Sequence, residues 1–280
     1  MTPTTIGIGA QKCASSWVHA VLGAHPDVGV SDPKEIDFFS YHFDRGYRWY
    51  EGHFTGFADR TARFESSPSY FYDPRSPERA RAYAPGLRIL AMLRDPVVRA
   101  YSNHLHEVVK GHIPAIPFEE GLENNPGYLD QGRYATHLGR WLDAFGPDAV
   151  KVMFAEEIAQ DPAAAARELY AFVGVDPEFE SLVFSERRNE SDRARYPVVR
   201  QTLRAGGDWL RRQDLEEQLM RVKAWGPVKG VLKANSVDVR SEIPPMRDDT
   251  RARLIESFAP EVDGLRRLLP GRALPWAAWE

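Results

Sequence analysis

The feature that most constrains this chain is the run Ile6-Gly7-Ile8-Gly9-Ala10-Gln11-Lys12-Cys13-Ala14-Ser15-Ser16-Trp17-Val18 near its amino terminus. Residues Thr4 to Ile8 alternate like a short buried strand, the pattern breaks at Gly9, and helical apolar spacing resumes at Trp17, Val18, Val21 and Leu22. A strand, a tight turn and a helix are predicted. Between the two elements lie small or hydroxylated residues around one lysine, Lys12. Backbone N–H groups at such a helix start are uncovered and the positive end of the helix dipole faces outward, which suits phosphate. Lys12 adds a mobile point charge, and Ser15 and Ser16 add hydroxyl donors. An ordinary strand-to-helix turn with a solvated lysine accounts for the same residues when this stretch is taken alone. The triphosphate pattern G-x-x-x-x-G-K-[ST] sets its lysine directly before the hydroxyl residue. Here Cys13 follows Lys12, which speaks against a nucleoside triphosphate kinase.

The 280 residues suffice for one large or two small domains with a substantial core. No stretch approaches the roughly 20 apolar residues that span a bilayer. The amino terminus lacks the basic-then-apolar pattern of a secretion signal, so a cytoplasmic location without a membrane partner is expected. The single cysteine excludes an intrachain disulfide, and no spacing resembles a zinc ligand set, so no metal is expected. A net charge of -4 argues against a general nucleic-acid binder. Lys12, Arg94, Arg99 and the run Arg187, Arg188, Arg193 and Arg195 are candidates to converge on one anion, a solvated charged face being the alternative.

Val28-Gly29-Val30-Ser31 reads as a second strand, ended by Asp32-Pro33 and followed by Lys34-Glu35-Ile36-Asp37-Phe38-Phe39. A carboxylate beside a lysine, just past a strand end, sits where ligand sites form in open α/β sheets. Glu35 is therefore the best candidate general base, a surface glutamate being the alternative. The aromatic segment from Gly46 to Phe54 either lines a pocket or fills the core. Ala62 to Ser66 has strand character and runs into the polar turn Ser67-Pro68-Ser69-Tyr70-Phe71, and helical spacing resumes from Pro77 to Tyr83. Leu87 to Leu93 is the clearest buried strand. It ends at Arg94-Asp95-Pro96, where Asp95 can cap a helix that Pro96 starts. Arg94 with Ser102, two turns into that helix, offers a second anion site; a capped helix with a surface arginine is the alternative.

Gly111 to Gly132, with Pro114, Pro117 and Pro126, reads as a flexible substrate-facing loop. Tyr134 to Phe145 is predicted helical, with His137 beside its apolar stripe. Ala149 to Phe154 is a further strand and Pro162 to Val173 a further helix. This order predicts the α/β class, a parallel sheet flanked by helices on both faces. From about Asp176 the chain turns polar and basic, then helical over 197–210, 215–222 and Thr250 to Leu269. The expected organisation is one domain spanning 1–280, a core sheet over about 4–175 and a helical C-terminal cover over about 176–280.

In this order the segments resemble the sulfotransferases that use 3'-phosphoadenosine 5'-phosphosulfate (PAPS), in particular the branch holding the heparan sulfate N- and 3-O-sulfotransferases and many bacterial enzymes. The carriers are Gly9 to Ser16, Lys34 to Phe39, Glu65 to Phe71, Arg94 through Tyr101 and Ser102, and Gly132 to Leu142. The resemblance implies a P-loop-type fold, PAPS as co-substrate with adenosine 3',5'-bisphosphate as product, and no metal. It implies that Gln11, Lys12, Cys13, Ala14, Ser15, Ser16 and Trp17 hold the 5'-phosphosulfate, Lys12 at the bridging oxygen. Arg94 and Ser102 would bind the 3'-phosphate, and Glu35 would take the proton of an acceptor hydroxyl or amine. The aromatics Phe38, Phe39 and Tyr70, with Ser67, are the expected acceptor contacts, and a small metabolite or glycoside is the expected acceptor.

This chain departs from that family pattern at Cys13 and Ala14, where the heparan enzymes often have glycines, and at Ser66, where they have a lysine beside the sulfuryl group. Cys13 reads either as a residue that narrows the loop or as an oxidation-sensitive thiol at a helix start, and His137 as the residue that compensates for the missing lysine. Arg188 and Arg193 resemble a late loop that closes over the donor. A P-loop kinase of a small metabolite and a non-catalytic nucleotide-binding protein are the competing readings.

Overall fold

The computed structural model describes residues 1–185, 192–194, 236–238 and 243–279. The readings of helix over 197–210 and 215–222, and of a donor-closing loop at Arg188, lie outside them, as does the side chain of Arg193. Five strands, β1 (Thr5–Gly9), β2 (Val28–Val30), β3 (Ala62–Ser66), β4 (Arg88–Leu93) and β5 (Val150–Phe154), form one parallel sheet in the order β2-β3-β1-β4-β5. The helices that flank and join them are α1 (Ser15–Ala24), α2 (Tyr47–Gly52), α3 (Ser76–Tyr83), α4 (Pro96–Lys110), α5 (Phe118–Asn124), α6 (Gly127–Asp130), α7 (Tyr134–Phe145), α8 (Ala155–Gln160) and α9 (Pro162–Val173). The expected α/β class is the one the chain adopts.

The central strands are near-continuous apolar runs because a parallel sheet covered by helices is buried on both sides. Ile6, Ile8, Ile89, Leu90, Ala91, Met92 and Leu93 have no exposed surface. The helix ends follow local chemistry: α9 starts with Pro162 behind Asp161, whose carboxylate accepts the Ala164 N–H, and stops at Gly174 with φ 84.

The chain divides into two compact units. The larger comprises Met1–Asn103, Leu122–Arg188 and Met246–Glu280, and the smaller His104–Gly121 and Asn189–Pro245. In the larger unit a long helix, α10 (Asp248–Leu268), packs on α7. Glu261 of α10 accepts from the backbone N–H and hydroxyl of Thr136, at 2.9 and 2.6 Å, and so caps the start of α7. The smaller unit contains an antiparallel pair, β6 (Asp192–Ala194) and β7 (Ser236–Asp238), and a contact from the His104 ring to the Ile116 carbonyl at 2.9 Å. The stretch read as an irregular loop from Gly111 to Gly132 instead contains α5 and α6. Phe118 and Tyr128 anchor them by full burial, and Glu119 and Glu120 favour a helix start by their charge.

Candidate active site

Three loops leave the carboxyl edge of the sheet: the turn after β1, the segment 31–42 after β2, which β3 separates from β1, and Arg94-Asp95-Pro96 after β4, the neighbour of β1. The topology brings Lys12, Glu35 and Arg94 to one edge because the strands they follow are parallel, and ligands of open α/β sheets sit at that edge. The first loop is a cradle. Lys12 and Ala14 adopt left-handed backbone, φ 68 and 71, and such alternation turns successive N–H groups inward to form an anion-binding nest. Ala14 caps α1 with no side-chain hydrogen bond, and no acidic residue occupies its first turn. Gly9, at φ 109, is required by packing as well as conformation: a Cβ there would lie 2.8 Å from the Pro68 carbonyl oxygen.

Cys13 faces inward and is fully buried, its Sγ 3.6 Å from the Gln11 carbonyl and 4.0 Å from the Tyr134 hydroxyl. Tyr134 in turn donates to the Arg94 carbonyl at 2.8 Å, so one buried phenol ties the first loop to the third. Burial pushes the Cys13 thiol up to about 12 and outweighs the opposing pull of Arg99 and Arg94. The expectation of an oxidation-sensitive thiol is corrected by that desolvation. The Trp17 indole N–H donates to the Phe184 carbonyl at 3.1 Å and fixes the outer side of α1.

The second loop meets the first through Lys34. Its ammonium donates to Ser15 Oγ at 3.3 Å, Ser16 Oγ at 3.2 Å and Glu35 Oε1 at 2.9 Å. One cation thus joins the carboxylate expected to act as base to both hydroxyls of the cradle. Exposed pairs of this kind contribute little to stability, about 0–1 kcal/mol, so the ammonium and carboxylate remain available for exchange with a ligand. Glu35 and Asp37 carry positive φ, 121 and 52. Conformations of this kind persist where their surroundings over-determine them. Here the N–H groups of Asp37 and Phe38 donate to Ser67 Oγ at 2.9 Å and Tyr70 Oη at 2.8 Å.

At the third loop Asp95 caps α4, its carboxylate accepting from Val97 and Val98 at 2.9 and 3.0 Å. Arg94 and Ser102 are half-buried at the strand end and two turns into the helix. Arg99 does not join an anion site. It is fully buried and donates to Gln131 Oε1 at 3.3 Å and to the Tyr128 carbonyl, holding the segment before α7.

Two groups of expected residues are placed elsewhere. Phe38, Phe39, Ser67 and Tyr70 have no exposed surface, so they offer no face to an acceptor. Their rings pack in an interior aromatic cluster, Phe38 stacked on Tyr50 at 4.5 Å and Phe39 edge-on to Tyr70 at 5.3 Å. Aromatics at this spacing fill the core, and Tyr41, 57% exposed, is the large side chain of that segment open to solvent. His137 is also corrected. Its Nε2 donates to the Asp130 carbonyl at 2.8 Å and its Nδ1 accepts from Arg140 at 3.3 Å, so neither nitrogen is left for proton transfer. Burial lowers its pKa and keeps the ring neutral. Ser66 is buried against Gly7, where a Cβ would come within 2.7 Å of Ser66 Oγ.

Sequence reasoning missed three contributors. From sequence, Lys34 reads as a neighbour of Glu35, Tyr134 as the start of a helix and Glu65 as part of a strand. The contacts that matter, Lys34 to Ser15 and Ser16, Tyr134 to Cys13 and Arg94, and Glu65 to Tyr50, are all tertiary. No group of three or more His, Cys, Asp or Glu among the described residues could hold a metal ion, and no described helix is long and apolar enough to cross a membrane.

The solved sulfotransferase from Alicyclobacillus acidocaldarius superimposes with a TM-score of 0.72 and 26% identity, covering 100% of this chain and 99% of that chain. A mouse sulfotransferase complexed with PAP shares the fold, with a TM-score of 0.53 and 14% identity over 96% of this chain and 88% of that chain. Human bifunctional heparan sulfate N-deacetylase/N-sulfotransferase 3 is 27% identical over 301 aligned residues, 99% of this chain and 31% of its own length. The mouse form 1 is 32% identical over 62% of this chain and 22% of its own length, so the chain spans a third or less of these two relatives. Residues 3–214 match the sulfotransferase domain family, and the chain belongs to that family.

Proposed function

We propose that this chain is a PAPS-dependent sulfotransferase that sulfates a hydroxyl or amine of a small metabolite or glycoside in the cytoplasm, releasing adenosine 3',5'-bisphosphate. The observation that carries the reading is the Lys34 bridge, which brings cradle hydroxyls and a carboxylate within reach of one ammonium. The left-handed residues of the cradle and the uncapped start of α1 fit an anionic group. When bound, PAPS supplies a sulfuryl group carried on a phosphate leaving group.

The backbone N–H groups of Cys13 to Ser16 and the Lys12 ammonium hold the phosphosulfate end, with Gln11 and Trp17 shaping the loop. Arg94 and Ser102 hold the 3'-phosphate, a group ATP lacks. Glu35 accepts the proton of the acceptor hydroxyl or amine, whose lone pair forms the new bond to sulfur as the bond from sulfur to the phosphate oxygen breaks. Lys12 and Lys34 stabilise the negative charge that grows on that phosphate oxygen. Lys34 thereby supplies the cation that Ser66 does not, and His137 orders the start of α7. The acceptor approaches from the solvent side of Glu35, past Tyr41.

Calorimetry with adenosine 3',5'-bisphosphate and with ATP, followed by an acceptor screen with labelled PAPS, tests this. The bisphosphate is expected to bind at least tenfold more tightly, and Glu35→Ala to keep that binding while losing turnover. Tight ATP binding without preference for the bisphosphate would overturn the reading in favour of a kinase.

A further inference from the structure

Behind the loop that carries Glu35 lies a carboxyl group with no surface. Glu65, at the penultimate position of β3, is fully buried. Its Oε1 accepts from the Tyr50 hydroxyl at 3.1 Å and its Oε2 from the Ser67 hydroxyl at 2.9 Å, and the Tyr70 hydroxyl also bonds to it. Two of these hydroxyls are themselves acceptors. Ser67 Oγ receives the Asp37 N–H, and Tyr70 Oη receives the Phe38 N–H.

The direction of every bond follows from the charge. An ionised carboxylate is acceptor-only, so each surrounding hydroxyl must point its proton at Glu65. The oxygens of Ser67 and Tyr70 are then presented to the two amides just past Glu35. A protonated Glu65, or a glutamine, brings a donor of its own and no longer compels every hydroxyl proton to point at it, so the oxygens of Ser67 and Tyr70 lose the fixed orientation that presents them to the two amides. These amides belong to the segment whose backbone is held at φ 121 and 52.

We infer that Glu65 is a positioning residue, the anionic root of a buried hydrogen-bond relay that holds the Glu35 loop in its reactive conformation. This rests on the reading of Glu35 as base. Glu65 touches neither donor nor acceptor and acts through Ser67 and Tyr70. Burial raises the Glu65 carboxyl to about 7, against the lowering effect of the three hydroxyls. The titratable groups around the relay are Tyr50, Tyr70 and Asp37, with Glu35 and His42 acting on Asp37. The relay therefore assembles as pH rises through neutrality, and the acid limb of turnover belongs to Glu65.

The test uses Glu65→Gln and Ser67→Ala in the full chain, with three readouts. Glu65→Gln is expected to lower kcat about tenfold, the effect of losing one well-made hydrogen bond, with adenosine 3',5'-bisphosphate affinity unchanged. Its kcat profile is expected to flatten between about pH 6 and 8, the range over which a carboxyl of pKa about 7 changes charge. Hydrogen exchange of the Asp37 and Phe38 amides is expected to quicken at least tenfold in Glu65→Gln, and that of Asp37 alone in Ser67→Ala. A wild-type profile and unchanged exchange in Glu65→Gln would overturn the inference. If Glu35→Ala keeps turnover while exchange at Asp37 and Phe38 still responds to Glu65→Gln, the relay stands and the assignment of the base fails.

Discussion

Cys13 gives the sharpest measure of how closed the first loop is. Its thiol lies inside the turn, with burial raising it from 9.0 to about 12 even though Arg99 and Arg94 pull the other way. Iodoacetamide reacts with the thiolate, so near pH 8 the thiolate fraction falls about 1,000-fold relative to an ordinary cysteine. Burial against the Gln11 carbonyl and the Tyr134 hydroxyl blocks the reagent further. Native protein is therefore expected to alkylate at least about 1,000-fold more slowly than the guanidinium-unfolded chain, which serves as the internal reference. Labelling at more than about 1% of the unfolded rate, with native circular dichroism retained, would refute this. It would mean that the arginines stabilise a thiolate and that the turn opens. Cys13→Ala provides the functional control. Because the residue serves the cradle through its backbone N–H, the variant is expected to lose about 1 kcal/mol of stability and to bind adenosine 3',5'-bisphosphate within about twofold of wild type.

The same reasoning extends to other positions. The folded Glu65 carboxyl, near 7, lies above its unfolded value of 4.5, so its contribution to stability is fully present below 4.5 and is lost as pH rises through 7. The loss amounts to about 3 kcal/mol, visible in urea melts and absent from Glu65→Gln. Glu261 has the opposite sign: despite burial, hydrogen bonds from Thr136 and the charge of Arg133 lower its pKa, so its contribution is lost as pH falls below the carboxylate range. Glu261→Gln is expected to cost about 1 kcal/mol near pH 7 and less near pH 3 in the same melts. A Cβ at Gly132 would lie 2.5 Å from the Phe258 ring, so Gly132→Ala is expected to destabilise by about 1–3 kcal/mol in thermal or urea unfolding. Lys34→Met is expected to lower kcat/KM for PAPS about 10- to 100-fold, with partial rescue by Lys34→Arg.

What the sequence makes legible here is whatever is encoded by period or punctuation. Tyr134–Phe145 and Pro162–Val173 are helices with the boundaries their apolar stripes, Pro162 and the glycines at 146 and 174 imply. The five strands fall within a residue or two of their apolar runs. Side-chain direction at the loops is a different kind of information. Phe38, Phe39 and Tyr70 follow strand ends, as acceptor contacts would, yet they turn inward because Tyr50 and Phe54 of the 46–54 segment complete a core around them. Lys34 and Glu35 stand next to each other in the chain, but the contact that matters is to Ser15 and Ser16, 18 to 19 residues away. Residue type alone cannot give the polarity of the Ser67 and Tyr70 hydroxyls either, since each can donate or accept. It is fixed by a third residue, Glu65, whose charge is conditional on its burial. The chemistry-bearing residues can thus be named from sequence, whereas the orientation that lets them act depends on the interior behind them. Substitutions at Glu65 or Ser67, remote from any ligand, are therefore expected to change kcat more than donor affinity.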